Sequence, residues 1–383
     1  MMNSQIRHGL MIIACLALSS ALTPLNATGE PASKQPVIIG YVAGWNWPGD
    51  EIEAEKLTHI NYAFATVAEN GELAELRAGD SNKLHALTLL KAKNPELKIL
   101  ISVGGWSGCK YFSDAALTDD SRRKFATSAV SFVKLHQLDG VDIDWEFPGQ
   151  IGNDNHFQPE DKENYTLLLK ALREKLDEEG KNDGKNYLLT TATGVDAAFV
   201  RNTDLGKAQQ YLNYVNIMGY DIYNGNDKTT GHHSNLYPST NGDHSRYSVD
   251  GAVKAQVAAG VPAGKIVLGV PFYGRGWTEV SNENYGLYQA SVGKHFEAGY
   301  DKLAEDYINT NGFVRFWDDA AKAPYLWNAQ SRTFISYADP EALTCKTDYI
   351  KSHGLAGVMF WEYHQQLKQK KLLDALWQTL RKP

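Results

Sequence analysis

The stretch LDGVDIDWEFPG, residues 138–149, carries acidic side chains at every second position: Asp142, Asp144 and Glu146. Apolar residues fill the positions between them. Because successive side chains of a β-strand point to opposite faces, a strand here would place the three acids on one face and the apolar residues on the other. Neighbouring acids would then lie about 6.6 Å apart along the strand, close enough to repel each other and shift their pKa values.

This acidic stretch is one of eight apolar runs that alternate with helix-like segments from residue 37 onwards. Near-continuous apolar strands separated by helices predict a parallel sheet whose outer face is covered. Eight such units predict an α/β fold, a (β/α)₈ TIM barrel. The predicted strands are 36–45, 57–67, 97–106, 138–147, 187–194, 214–221, 265–274 and 354–363.

Two segments between these runs have the pattern of amphipathic helices. In DKENYTLLLKALREKLDEEG, residues 161–180, apolar side chains recur at helical spacing and Gly180 is the predicted end. In DPEALTCKTDYIKSHG, residues 339–354, Asp339 is the predicted N-cap and Pro340 the first helical residue.

The interval between the seventh and eighth predicted strands is too long for one connection. The surplus, residues 278–335, is rich in aromatic side chains. Because a structureless loop of that length is improbable inside a compact domain, we predict a small α+β insertion that raises one wall of a cleft. The barrel with this insertion would occupy residues 28–383.

The chain has 383 residues, 43% of them hydrophobic, and a formal charge of −7. This composition is typical of a soluble globular protein with a large core. The acidic balance argues against a nucleic-acid partner, which calls for a basic face. It suits a neutral or weakly cationic ligand better.

The N-terminal residues resemble a secretory signal. Arg7 and His8 precede an apolar run at 10–22 that is too short to span a bilayer. Cleavage could follow Ala21 or Ala27, and we favour the second, which predicts a signal peptide at 1–27 and a secreted or periplasmic protein. A lipobox-like IIAC ending at Cys15 is the less favoured alternative, and no later stretch is apolar enough to span a membrane.

Two cysteines remain after residue 27, and no cysteines or histidines show the spacing of a metal site. Cys109 and Cys345 could pair, and the sequence leaves this open. The adjacent His232 and His233 lack the spacing of a metal site and are predicted to lie in a surface loop.

The acidic strand itself predicts a division of roles. Active sites of such barrels lie at the C-terminal ends of the strands, so Asp142 would be deepest, Asp144 above it and Glu146 at the rim. The two buried acids would share a proton, and Glu146 could act as a general acid.

Two other interpretations compete with catalysis. The D-x-D-x-E spacing could open a calcium loop, but Phe147 stands where such loops need glycine. The acids could also be the solvated face of an edge strand, although the fourth of eight parallel strands is not an edge.

The segment DGVDIDWE, residues 139–146, resembles the D-x-x-D-x-D-x-E signature of family 18 glycoside hydrolases, the chitinases and their relatives. Five further segments resemble family segments in the family's order, so the resemblance covers essentially the whole chain after the signal. It also implies that the insertion is the family's small α+β domain. These segments are NYAF, SVGG (102–105), MGYD (218–221), YGRGW (273–277) and GVMFWE.

The resemblance implies roles for the acids, with no metal and no organic cofactor. Glu146 matches the acid that protonates the glycosidic oxygen, and Asp144 matches the residue that orients the substrate's N-acetyl group. The acetamido oxygen then attacks the anomeric carbon and forms an oxazolinium ion, one of the exceptions to two-carboxylate hydrolysis. Asp142 matches the proton-sharing partner and Tyr220 the hydroxyl donor to the acetamido oxygen.

The resemblance also implies a substrate-binding set. Trp361 would be the floor under the sugar that is cleaved, and Tyr41 and Ser102 would hydrogen-bond the inner aspartate. Without the resemblance Tyr41, Phe64, Met218 and Trp361 would equally be barrel core. The remaining implied binding residues are Phe64, Gly105, Trp106, Met218, Asp221 and Arg275.

One departure from the family concerns the segment after MGYD, where a tryptophan often stacks on the leaving sugars. Here the segment has no tryptophan, and Tyr223 is the candidate substitute. We therefore expect a preference for soluble chito-oligosaccharides over crystalline chitin.

The favoured function is a monomeric chitinase acting on chitin or chito-oligosaccharides. An endo-β-N-acetylglucosaminidase and a non-catalytic chitin-binding lectin are the alternatives.

Overall fold

The computed structural model of the chain describes residues 35–74, 77–240 and 247–381. Pro36 begins the compact unit that contains all the elements described below. The predicted signal peptide at 1–27, with its alternative lipobox at Cys15, lies outside the described residues.

Eight parallel strands close into a barrel in the order β1-β13-β7-β6-β5-β4-β3-β2. This arrangement confirms the predicted (β/α)₈ fold. The strands are β1 (Val37–Ala43), β2 (His59–Ala65), β3 (Lys98–Gly104), β4 (Gly140–Asp144), β5 (Leu188–Thr193), β6 (Tyr214–Ile217), β7 (Ile266–Pro271), β8 (Tyr273–Trp277), β9 (His295–Gly299), β10 (Val314–Asp318), β11 (Ala323–Asn328), β12 (Thr333–Ser336) and β13 (Gly357–Trp361).

Helices cover the outside of the barrel and bury its outward apolar side chains. They are α1 (Asp80–Leu89), α2 (Phe112–Ala116), α3 (Asp119–Leu135), α4 (Asp161–Asp183), α5 (Ala197–Arg201), α6 (Leu205–Ala208), α7 (Val249–Ala258), α8 (Tyr300–Asp306), α9 (Pro340–Ser352) and α10 (Lys371–Arg381). Among the described residues, none of these helices combines the length and apolar character needed to cross a bilayer.

Strand β4 shows the expected alternation, but it is shorter than predicted. Val141, Ile143 and Trp145 are buried in the large apolar core. The strand ends at Asp144, whereas we predicted residues 138–147, so Glu146 lies beyond the strand. The barrel ladder therefore does not by itself fix the position of Glu146.

The insertion is a five-stranded antiparallel sheet in the order β10-β11-β12-β8-β9, accompanied by α8. The sheet begins at Tyr273, before the predicted limit of 278, because YGRGW forms its strand β8. Phe272 alone separates β7 from β8, and its ring stacks on Phe360 with centroids 4.2 Å apart.

The observed helix ends can be compared with the predicted capping residues. Asp339 caps α9 by accepting a hydrogen bond from Ala342 N–H, as predicted, and Pro340 is the first helical residue. Gly180 is not the end of α4, because that helix continues to Asp183. Gly184 caps it with φ 64°, in the left-handed region where glycine has no steric penalty.

Gly184→Ala should destabilise the protein by about 1–2 kcal/mol. An alanine Cβ at this position would meet no atom within 4 Å, so the cost is that of the left-handed backbone alone. Urea denaturation followed by tryptophan fluorescence measures the change. Gly184→Asn is the control and should lose less, because asparagine tolerates this conformation better. Equal stability of Gly184→Ala and the parent would contradict this account of the helix end.

Candidate active site

A cleft of about 710 Å³ opens where the barrel strands end, and Asp144 and Glu146 line it. Of the residues predicted from the sequence, ten line this cleft. They are Tyr41, Phe64, Trp106, Asp144, Glu146, Met218, Tyr220, Asp221, Arg275 and Trp361.

Asp142 lies beneath the cleft with no exposure to solvent. Its Oδ2 accepts hydrogen bonds from the hydroxyls of Tyr41 at 2.8 Å and Ser102 at 2.7 Å, as the sequence predicted. Its Oδ1 accepts from Thr190 Oγ1 at 2.5 Å and Asn216 Nδ2 at 3.2 Å. Burial raises the pKa of Asp142, while these four donors oppose the rise by stabilising the charged form.

Asp144 sits one step higher in the same strand and has no such donors. Its Oδ1 is buried without a hydrogen-bond partner in the described residues. Burial, together with the nearby Glu146 and Asp142, holds its pKa well above the usual range. Of the two aspartates, only Asp142 therefore has hydrogen-bond donors that favour its charged form.

Glu146 lines the cleft, two residues past the end of β4. Its backbone N–H donates to the sulfur of Cys109 at 3.1 Å, and the Cys109 thiol donates to Asp144 O at 3.1 Å. Burial and the nearby Asp221 raise the pKa of Glu146 to about 8. A carboxylic acid with this pKa holds its proton at neutral pH and can donate it.

Tyr220 follows the end of β6. Its hydroxyl has a weak partner among the described residues, the sulfur of Met359 at 3.9 Å. Burial, followed by the charges of Asp144 and Asp221, raises the pKa of Tyr220 well above its usual value. The phenol therefore stays protonated and is a hydrogen-bond donor aimed into the site.

Asp221 forms a bidentate pair with Arg275. Arg275 Nε donates to Oδ1 at 2.8 Å and Nη2 to Oδ2 at 2.7 Å, and the Tyr273 hydroxyl donates to Oδ1 at 2.8 Å. Burial alone would raise the pKa of Asp221, but the neighbouring His233 and Arg275 outweigh burial and lower it below its usual range. This carboxylate is ionised beside a protonated Glu146.

Aromatic rings form one wall of the cleft. Trp361, at the end of β13, stacks on Phe64 with centroids 5.5 Å apart and planes 12° apart. Tyr41 and Trp45 tilt against the same indole at 5.8 and 6.1 Å. A flat indole supported from behind offers one face to a ligand with an apolar side.

Not every predicted binding residue reaches the cleft. Gly105, with φ 75°, lies behind Phe64, and a Cβ there would meet that ring at 2.4 Å. The absence of a side chain at this position leaves room for the Phe64 ring. Trp106, by contrast, lines the cleft with half of its surface exposed.

Sequence reasoning missed several residues of the site. Thr190 and Asn216 lie within strands β5 and β6, where inward polar residues signal a buried polar partner. Trp45 and Arg77 form a cation–π contact at 5.6 Å on the cleft wall. The Trp45 signal was available in GWNW, residues 44–47, where the first predicted strand ends.

Two further predictions about loop residues are wrong. His232 and His233 are buried instead of lying on the surface, and His232 Nε2 is 3.2 Å from Asp318 Oδ2. Tyr223 is 5% exposed and packs edge-on against Tyr288, so it cannot replace the absent tryptophan as a stacking platform.

The open cysteine question is also answered. Cys109 and Cys345 are both free thiols. The described residues contain no group of three or more side chains with the donors to hold a metal ion.

Comparison with known proteins identifies the family to which the chain belongs. A family model described as glycosyl hydrolases family 18 matches residues 37–366. Chitinase A1 of Niallia circulans is 40% identical over 92% of this chain, which spans 59% of the length of that relative.

Solved structures agree with the sequence comparison. A family 18 N-acetylglucosaminidase from Paenibacillus barengoltzii superimposes with a TM-score of 0.84 at 46% identity, covering 90% of this chain and 99% of the other. Chitinase ChiA74 from Bacillus thuringiensis gives a TM-score of 0.87 at 37% identity, covering 91% of this chain and 70% of the other.

Thr190→Val should destabilise the protein by about 1.5–3 kcal/mol, because it removes one donor from the buried Asp142 carboxyl group. Thr190→Ser is the matched control, since it keeps the hydroxyl, and should lose less. Urea denaturation compares the three proteins. A Thr190→Val protein as stable as the parent would mean that Asp142 does not depend on this donor.

Proposed function

Because the chain belongs to glycosyl hydrolase family 18, we propose that it is a chitinase that hydrolyses β-1,4-linked N-acetylglucosamine with retention of configuration. The observation that carries the proposal is a matched pair of groups in the cleft. Asp144 has a buried carboxyl oxygen without a partner, and Tyr220 has a hydroxyl whose partner is a thioether. One acceptor and one donor together suit an acetamido group, which has an N–H and a carbonyl oxygen.

In the first step Glu146 donates its proton to the glycosidic oxygen as the bond from that oxygen to the anomeric carbon breaks. The acetamido carbonyl oxygen attacks the anomeric carbon and forms a cyclic oxazolinium ion. Tethering favours this attack, because the nucleophile arrives already bound to the substrate. No protein carboxylate needs to form a covalent bond.

Asp144 and Tyr220 orient the nucleophile for this attack. Tyr220 donates to the acetamido oxygen, and Asp144 accepts its N–H. As positive charge develops on the nitrogen, the Asp144 proton passes towards Asp142, and the resulting carboxylate stabilises the oxazolinium ion. The four donors on Asp142 set the starting state, in which the deeper carboxyl group is ionised and Asp144 is neutral.

In the second step a water molecule attacks the anomeric carbon, and the Glu146 carboxylate takes its proton. The oxazolinium ring opens, the acetamido group is restored, the proton returns from Asp142 to Asp144, and Glu146 returns to its acid form. Two inversions at the same carbon give net retention. Trp361 supports the reacting sugar by stacking on its apolar face.

An N-acetylglucosaminidase is the second candidate. Its support is the Paenibacillus barengoltzii structure, which has that stated activity and matches 99% of its own length at 46% identity. The same residues would carry the same chemistry, and only the product would differ. The predicted signal at 1–27 supports a secreted or periplasmic location for either enzyme.

Hydrolysis of the N-acetylglucosamine tetramer tests the chemistry. The protein should release β-anomeric products, and Glu146→Gln should lower kcat by about 10²–10⁴-fold, because general acid catalysis contributes that much. Products are resolved by anomer immediately after cleavage.

Glu160→Gln is the control, because Glu160 is an exposed residue of the loop that also carries Glu146. It should keep full activity. Dimeric products would favour the chitinase and monomers the N-acetylglucosaminidase. An α-anomeric product, or an active Glu146→Gln protein, would overturn the mechanism.

The pH dependence tests the state of Glu146. Its pKa is raised to about 8, and the protonated form is the active one. The value of kcat/KM should therefore be retained at neutral pH and fall about tenfold per pH unit above pH 8. Steady-state rates on the tetramer between pH 5 and 10 would measure this limb. A fall centred near pH 5 would show that Glu146 is ionised in the free enzyme and cannot be the acid.

A further inference from the structure

Lys346, on α9, is a fully buried lysine that the proposed reaction does not use. Burial lowers its pKa to about 7. Its ammonium group donates one hydrogen bond to a described residue, Ser234 Oγ at 2.5 Å. Since a buried lysine with a single hydroxyl partner costs stability, packing alone would favour an apolar side chain at this position.

Ser234 connects Lys346 to a loop of the cleft. Its hydroxyl donates to Gly219 O at 2.5 Å. Gly219 directly precedes Tyr220 and Asp221, which both line the cleft. A chain of hydrogen bonds therefore runs from α9 to the backbone beside Tyr220.

The loop needs this support because the barrel ladder ends before it. Strand β6 ends at Ile217. Met218 N–H still donates to Thr193 O of β5 at 2.9 Å, but the next two N–H groups reach back only two residues, from Gly219 to Ile217 O and from Tyr220 to Met218 O, each at 2.8 Å. Asp221 has φ 58°, a left-handed conformation that side chains disfavour.

The segment that carries Ser234 is itself anchored. His233 N–H donates to Ser336 Oγ at 2.9 Å, which ties the segment to strand β12. Ile222 N–H donates to His233 O at 3.1 Å, which ties the far side of the loop to the same segment. The loop is thus held at both ends, and Lys346 fixes the hydroxyl that holds the Gly219 end.

We propose that Lys346 is a positioning residue, which acts through Ser234 to hold the Gly219–Asp221 loop so that the Tyr220 hydroxyl faces the acetamido oxygen. The inference rests on the proposed function for the role it gives Tyr220. It explains why a group that costs stability stands under the cleft.

Lys346→Met separates positioning from packing. We expect kcat on the tetramer to fall at least tenfold, because a misplacement of about 1 Å can cost about 10²-fold. KM should change less than about threefold, and the thermal midpoint should equal or exceed the parent's, since an apolar side chain replaces a buried amine. Lys351→Met, on the exposed side of the same helix, is the control and should leave kcat unchanged.

Two further variants test the route. Ser234→Ala breaks the chain of hydrogen bonds between Lys346 and Gly219. Adding Lys346→Met to this variant should therefore lower kcat little more than either change alone. In a Tyr220→Phe background, Lys346→Met should likewise have little further effect. Additive losses, or an unchanged kcat in Lys346→Met, would overturn the proposal.

Hydrogen exchange tests the loop without substrate. Lys346→Met should speed exchange of the amides in residues 218–222, and Lys351→Met should not. This readout stays valid if the parent fails to cleave chito-oligosaccharides, in which case faster exchange would support positioning while the proposed function fails. Unchanged exchange would refute the positioning role.

Discussion

The Asp142 carboxyl group is the constraint on which the rest of the site depends. It lies inside the barrel with no solvent, and such a group is tolerable only if its oxygens are satisfied. Its four donors come from four different strands, through Tyr41, Ser102, Thr190 and Asn216. Ser102 and Thr190 stand directly beside Asp142 on the neighbouring strands β3 and β5. Tyr41 on β1 and Asn216 on β6 lie on strands that are not paired with β4, so closure of the barrel completes the set of donors.

The other carboxyl groups of the site differ from Asp142 in their surroundings and in their pKa values. Asp144 has no donors and lies between two acids, so its pKa is raised well above the usual range. Glu146 has its pKa raised to about 8. Asp221 is held ionised by the neighbouring His233 and Arg275, although burial opposes this. One cleft thus holds protonated and ionised carboxyl groups side by side, and environment alone decides which is which.

The sequence predicted the features that follow from periodicity, because alternation is a property of the strand itself. The barrel and the shared face of Asp142 and Asp144 are of this kind. Prediction from the sequence failed for features whose position depends on tertiary contacts. Glu146 lies past the end of β4, where no period applies. In the sequence Thr190 and Asn216 resemble ordinary strand residues, because only the structure shows that they donate hydrogen bonds to Asp142. The end of α4 was misplaced because both Gly180 and Gly184 could stop a helix, and only the backbone geometry distinguishes them.

The joint between barrel and insertion has a consequence for one wall of the cleft. Phe272 is the one residue between β7 and β8, and it is pinned by stacking on Phe360. At the other end, residues 337–339 connect β12 to α9, and Asp339 caps that helix. Such short, packed joints offer no hinge to absorb a large change in φ and ψ. Arg275 on β8 and Glu297 on β9 line the cleft, so the short joints tie this wall of the cleft directly to the barrel.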